Sequence, residues 1–205
     1  RDLFGKTTVS EEDALRLASL KTSAAVRETS EDSMTSDEFL SRAEAEILFS
    51  FESPPEARAL ELINKTNQFN LNGRRYTESD WQRSLGRPGA IVLVASYRDK
   101  YGPLGKVMVL HGTVENLVLH VDSWVMSCRA FSRRIEYHCI QELFERFSLR
   151  EMRFDFARTE RNGPLSEFFS RLLNREPEPD LQLPREEFEA NRPKLFATVS
   201  DPVSA

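Results

Sequence analysis

Apolar positions change their spacing partway along this chain, and the change predicts its layout. Up to about residue 67 they recur at helical intervals. Ser10 with Glu11, Glu12 and Asp13 predicts a capped helix start, and Thr35-Ser36-Asp37-Glu38 predicts a capping box. The box opens a predicted helix carrying Phe39, Leu40, Ala43, Ile47 and Leu48, after a polar loop over Glu28 to Met34. Ser53-Pro54-Pro55-Glu56 starts a further helix that runs through Leu60, Leu62 and Ile63 into Lys65-Thr66-Asn67. From residue 90 the texture is β-branched and aromatic. Ala90 to Arg98, Leu104 to Gly112 and Asn116 to Cys128 read as strands, linked by Tyr101-Gly102-Pro103 and Gly112-Thr113. Links that short join antiparallel neighbours. A helix then follows over Arg133 to Phe147, with Ile140, Leu143, Phe144 and Phe147 on one stripe. After it come a strand at Met152 to Ala157, a helix at Pro164 to Leu173, a loop over Pro177 to Pro184, and a weaker strand near Phe196 to Val199.

This order of elements predicts an α+β fold, with a central mixed sheet flanked by helices. Residues 1–52 are expected to form a helical N-terminal extension, 53–200 the folded domain, and 201–205 a loose tail. The chain opens on Arg1, which suggests a fragment of something longer. No run approaches the roughly 18 apolar residues of a membrane span, so no membrane partner is expected.

Charge and composition narrow the functions. The net charge of −5 argues against nucleic acid, because phosphate recognition needs a basic field. Arg129, Arg133 and Arg134 nevertheless crowd into six positions, a local cluster suited to a phosphate or an acidic partner. Cys128 and Cys139 are too few for a disulfide framework, so a reducing cytoplasm is the expected location. His111, His120 and His138 show no ligand spacing, and no metal is expected.

Three stretches carry a resemblance. Lys65-Thr66-Asn67-Gln68-Phe69-Asn70 is similar to the Lys-Thr-Asn-Gln-Phe-Asn signature of FkbH-type proteins. Ser127-Cys128-Arg129 through Glu136 resembles that family's Ser-Cys-Arg-x-x-Gly-Arg-Gly-x-Glu segment. Thr159 to Asn162, with Phe168-Phe169, resembles its Thr-x-x-Asn-x-x-x-x-x-Phe-Tyr ending. The resemblance covers roughly residues 36–170 and implies the C-terminal, GNAT-like acyltransferase domain of such a protein. It implies loading of a glyceryl or related hydroxyacyl unit onto an acyl carrier protein for polyketide assembly. The partners would be that carrier and an upstream HAD-type domain. Mg²⁺ would serve only the HAD domain, whose Asp-x-Asp-x-Thr motif this chain lacks. The chain itself would hold no cofactor beyond the carrier's phosphopantetheine arm as ligand, lying in the cleft.

The resemblance nominates site residues. Cys128, beside a helix N-terminus and Arg129, is a candidate nucleophile, and the alternative is a small packed residue. Glu136 precedes Ile140 by four and so shares its apolar stripe, which suits a base or a structural ion pair. Thr66, Asn67, Gln68, Asn70 and Asn162 can bind a polar ligand chain or tie down loops. Arg129, Ser132, Arg133 and Arg134 form the loop that would meet phosphate or carrier. Ser132 and Arg134 stand where the family places glycine, and Phe169 where it often places tyrosine. Two rival readings follow: a noncatalytic module that docks a carrier protein, and a CoA-dependent N-acyltransferase.

Overall fold

The computed structural model describes residues 36–51 and 57–200. The expected cap at Ser10, the loop before Thr35, the Ser53–Glu56 helix start and the loose tail lie outside the described residues. The fold is α+β. In chain order, helix α1 (Ser36–Ser41), strand β1 (Glu46–Ser50), α2 (Ala57–Lys65), β2 (Phe69–Asn70) and α3 (Glu78–Leu85) lead into a meander. The meander is β3 (Ala90–Asp99), β4 (Gly102–Glu115) and β5 (Val118–Met126). A 3₁₀ turn at Cys128–Ala130 precedes α4 (Ile135–Arg146), β6 (Glu151–Phe154), α5 (Gly163–Leu173), β7 (Leu181–Pro184), α6 (Arg185–Asn191) and β8 (Thr198–Ser200).

Among the described residues the eight strands make one mixed sheet, ordered β7-β6-β5-β4-β3-β1-β8, with β2 on β5. The β5–β6 and β1–β8 pairs are parallel and the rest antiparallel. Period-two alternation gives each strand two apolar faces, because successive side chains point to opposite sides. Val92, Val109 and Val125 pack under α2 and α3, with Ile63 and Trp81. Leu93, Leu110 and Trp124 face the other way, against Ile140 and Leu143 of α4, Phe168 and Phe169 of α5, and Phe188 of α6.

Several expected boundaries moved. The helix opened at Ser36 stops at Ser41, and Glu46–Ser50 is a strand inside the sheet, paired with β3. Its side chains alternate, with Ile47 and Phe49 buried and Leu48 exposed. The expected turn at Gly112-Thr113 lies within β4. The hairpin turns at Asn116-Leu117, both in the left-handed region, as a two-residue turn between right-twisted strands requires. Gly112 instead sits at a bulge, where an added Cβ would lie 2.3 Å from the His120 carbonyl oxygen. Within the expected loop at Pro177 to Pro184, residues Leu181–Pro184 pair with β6.

One topological feature positions the site. Strands β5 and β6 pair only from Val118 to Val121, then separate. Residues 69–72 fill the gap. Phe69 and Asn70 pair with Met126 and Val125, the Leu71 amide donates to the Trp124 carbonyl at 3.0 Å, and the Ala157 amide donates to Leu71 at 3.2 Å. The Asn72 side-chain amide spans both banks, donating to the carbonyls of Asp122 (3.0 Å) and Asp155 (2.9 Å).

Candidate functional site

Two cavities adjoin the inserted segment at Gln68 and Phe69, besides a third that touches Asn70 and Gly73. The larger, about 670 Å³, lies between α2 and the turn after β5. One helical face of α2 supplies Arg58, Glu61, Leu62 and Lys65, and Thr66, Asn67, Gln68, Cys128 and Arg129 complete much of the wall. Cys128 is exposed there, at the start of the 3₁₀ turn. Glu61 accepts hydrogen bonds from Lys65 and Arg58, which pull its carboxyl down to about 2. It is therefore an anion whose charge is already matched.

The second cavity, about 460 Å³, lies between the entry to α4 and one face of α5. Phe69, Phe131, Tyr137 and Phe168 give it aromatic walls, and Ser132, Arg134, Glu136, Glu167 and Arg171 give it polar ones. Phe168 packs on both Phe69 and Tyr137, with ring centroids 6.0 and 5.0 Å apart. Met126 lines both cavities.

Cys128 and Glu136 thus fall on different cavities, and the two residues expected to share catalysis are not brought together. Glu136 keeps the position on the apolar stripe that its spacing predicted. Its Oε2 is shut off from solvent and has no hydrogen-bond partner. Burial pushes its carboxyl up to about 7, against a hydrogen bond from its own backbone N–H and the attraction of Arg134 and Arg171.

The loop ahead of α4 has a glycine-like shape without glycine. Ser132 and Arg134 have φ of 67° and 58°, the left-handed region that normally favours glycine. The left-handed backbone path is thus formed here with side chains present at both positions. Arg133 is held inward. It donates to the Arg129 carbonyl at 2.9 Å, stacks on the Tyr97 ring at 5.3 Å and lies 3.7 Å from the Asp99 carboxylate. Arg134 reaches Asp37 and donates to the Lys194 carbonyl at 2.7 Å. Arg129 is buried and donates to the Lys106 carbonyl.

The expected polar-binding residues divide into two groups. Thr66, Asn67 and Gln68 face the larger cavity. Asn70 and Asn162 are buried ties. The Asn70 side chain bonds the Thr66 carbonyl and the Gly73 amide, while Asn162 donates to the carbonyls of Asn70 and Ala157 and accepts from the Thr159 amide. Phe169 is core, fully buried among Trp124, Phe154 and Phe156, so it stands outside both cavities.

Neither a protein-family model nor a curated protein matches this chain. Among the described residues no group of three or more His, Cys, Asp or Glu side chains could hold a metal ion. No helix among them is long and apolar enough to cross a membrane.

Sequence reasoning missed two lining faces, at 58, 61, 62 and 65 and at 164, 167, 168 and 171. Both repeat the i, i+3, i+4, i+7 spacing of one helix side, so the signal was present. What hid it was chemistry, because mixed charged and apolar residues on a helix usually mean a solvated flank.

Proposed function

We propose that this chain is the GNAT-like module of an FkbH-like system, transferring a glyceryl or related hydroxyacyl unit to an acyl carrier protein. The observation that carries the reading is the left-handed backbone at Ser132 and Arg134, leading into α4 beside a cavity with one buried carboxyl. Such a turn presents unbonded helix N–H groups and an apolar channel together, which suits the end of a pantetheine arm. In this reading the arm approaches along the α4–α5 cavity and the acyl group passes Cys128 across Met126. The Cys128 thiolate attacks the donor carbonyl and the donor's leaving group departs. The carrier thiol then attacks the resulting thioester, and the Cys128 sulfur leaves and regains its proton.

A second reading is a noncatalytic carrier-docking module. Two observations favour it: residues 69–72 close the gap between strands, and Arg134 is bound to Asp37. Mass analysis of a holo carrier protein, incubated with this chain and a glyceryl thioester, separates the two. Acyl-transfer activity requires a loaded carrier, lost in Cys128→Ser while stability stays within about 1 kcal/mol. An unloaded carrier that still binds this chain would leave docking as the function. Undiminished loading by the serine variant would remove Cys128 from the chemistry.

A further inference from the structure

We propose that Glu136 sets the charge class of what the α4–α5 cavity accepts, turning away phosphate-bearing ligands such as free CoA and admitting an uncharged chain. The inference rests on reading this cavity as the path of a pantetheine arm.

Any α-helix leaves its first amides without intrahelical partners, and these attract anions. Here the first amide bonded within α4 is that of His138, to the Arg134 carbonyl. Left-handed residues at Ser132 and Arg134 turn the chain into that helix, a backbone shape able to cradle a phosphate. A carboxylate already stands in the cradle. Glu136 lies in the first turn, accepts from its own amide, and keeps Oε2 buried on the cavity wall with no partner.

The charges around it are engaged elsewhere or matched. Arg134, from the preceding loop, holds Asp37 of α1 and the Lys194 carbonyl of the C-terminal segment. Arg171 of α5 lies 3.5 Å from Glu167 on the same helix. Tyr137, on α4 itself, contributes an aromatic face and a phenol pushed towards its neutral form by burial. An incoming phosphate would therefore meet the Glu136 carboxylate, against which stand Arg134, already paired with Asp37, and Arg171, in a weak exposed contact with Glu167. A neutral amide or hydroxyl could donate to this carboxyl once a small shift of the side chain uncovers Oε2, a buried oxygen that has no partner.

The glycine substitutions would lead one to blame backbone bulk for poor CoA binding. The left-handed backbone moves that burden to Glu136. Its carboxyl is half ionised near pH 7, so the exclusion must also relax in acid.

The test is calorimetry on the unaltered protein and on Glu136→Gln, with pantetheine and CoA at pH 8. The unaltered protein should bind CoA no more tightly than about 1 mM. Glu136→Gln should gain roughly tenfold or more for CoA, while pantetheine affinity changes less than about twofold. Sulfate, whose charge is constant over this range, provides a measurement that needs no variant. Its affinity for the unaltered protein should rise as pH falls from 8 to 5.5, and should be flat for Glu136→Gln. Micromolar CoA binding by the unaltered protein at pH 8 would overturn the proposal. So would a well-folded variant with no gain together with pH-independent sulfate binding. If the CoA gain appears but pantetheine binds neither protein, charge selection stands and the pantetheine reading falls.

Discussion

His111 and Glu136 are both ionisable side chains held away from water, and they tilt stability in opposite directions with pH. His111 is fully buried beneath Trp81, neither ring nitrogen has a hydrogen-bond partner, and Nδ1 lies 3.7 Å from the Asp122 carboxylate. Burial lowers its pKa more than Asp122 raises it, so the folded state prefers the neutral ring. That preference contributes fully above the ordinary histidine value and is lost as pH falls below it. His138, pushed down to about 4 by burial, adds to the same trend. Glu136 has the reverse sign. Its raised pKa favours the protonated form, so its burial costs nothing in acid, costs progressively more as pH climbs from its ordinary value of 4.5 to about 7, and levels off above that. His111→Leu should therefore flatten the fall in urea midpoint between pH 7 and pH 4.5. Because both ring nitrogens lack partners, the variant should lose no more than about 1 kcal/mol at pH 7. A slope equal to the parent's would show that His111 does not titrate on unfolding.

The β4–β5 hairpin is the element whose sequence least suits its geometry. Glu115 pairs with Val118, so Asn116 and Leu117 alone make the turn, at φ of 50° and 62°. Asparagine tolerates this region, but leucine meets its own carbonyl sterically and gains nothing back, since Leu117 is 53% exposed. Leu117→Gly would create the Asn-Gly pair that this turn prefers. The variant should melt higher, by the equivalent of about 0.5–1 kcal/mol. A lower melting temperature would mean that the leucine makes a contact worth more than its strain. The hairpin matters beyond itself, because β5 carries Met126 and the turn with Cys128 on its far end.

At the scale of the whole molecule, Arg134 joins the two ends of the described chain. It pairs with Asp37 in α1, donates to the Lys194 carbonyl and lies over the Phe196 ring at 5.9 Å. These contacts close α1 and the segment before β8 against the entrance of α4, where Ser36 and Pro193 line the smaller cavity. Arg134 is only part-exposed, so its pairing is screened less than a surface bridge. Arg134→Ala should raise amide exchange in residues 36–41 and 193–200 at least severalfold, with β3, β4 and β5 unchanged. Equal protection in parent and variant would show that other contacts hold these ends.

Periodicity in the sequence determined the meander of β3, β4 and β5, the helices α2, α4 and α5, and the α+β class. These are long runs whose side-chain spacing is decided locally. The position of Glu136 on an apolar stripe was legible for the same reason. Short windows were not. Ile47 and Leu48 fit a helix begun at Ser36 as well as a strand, and only pairing with β3 separates the two. Leu181–Pro184 looks like a loop until β6 supplies its hydrogen bonds. The site was decided later still. Whether Phe69 to Asn72 would bind a ligand or fill the gap between β5 and β6 depended on two strands some fifty and eighty residues away. So did the separation of Cys128 from Glu136, eight positions apart in sequence and on different cavities in space. Backbone groups that cannot stay unpaired in a sheet take the nearest partner that tertiary structure offers, and no local pattern names that partner.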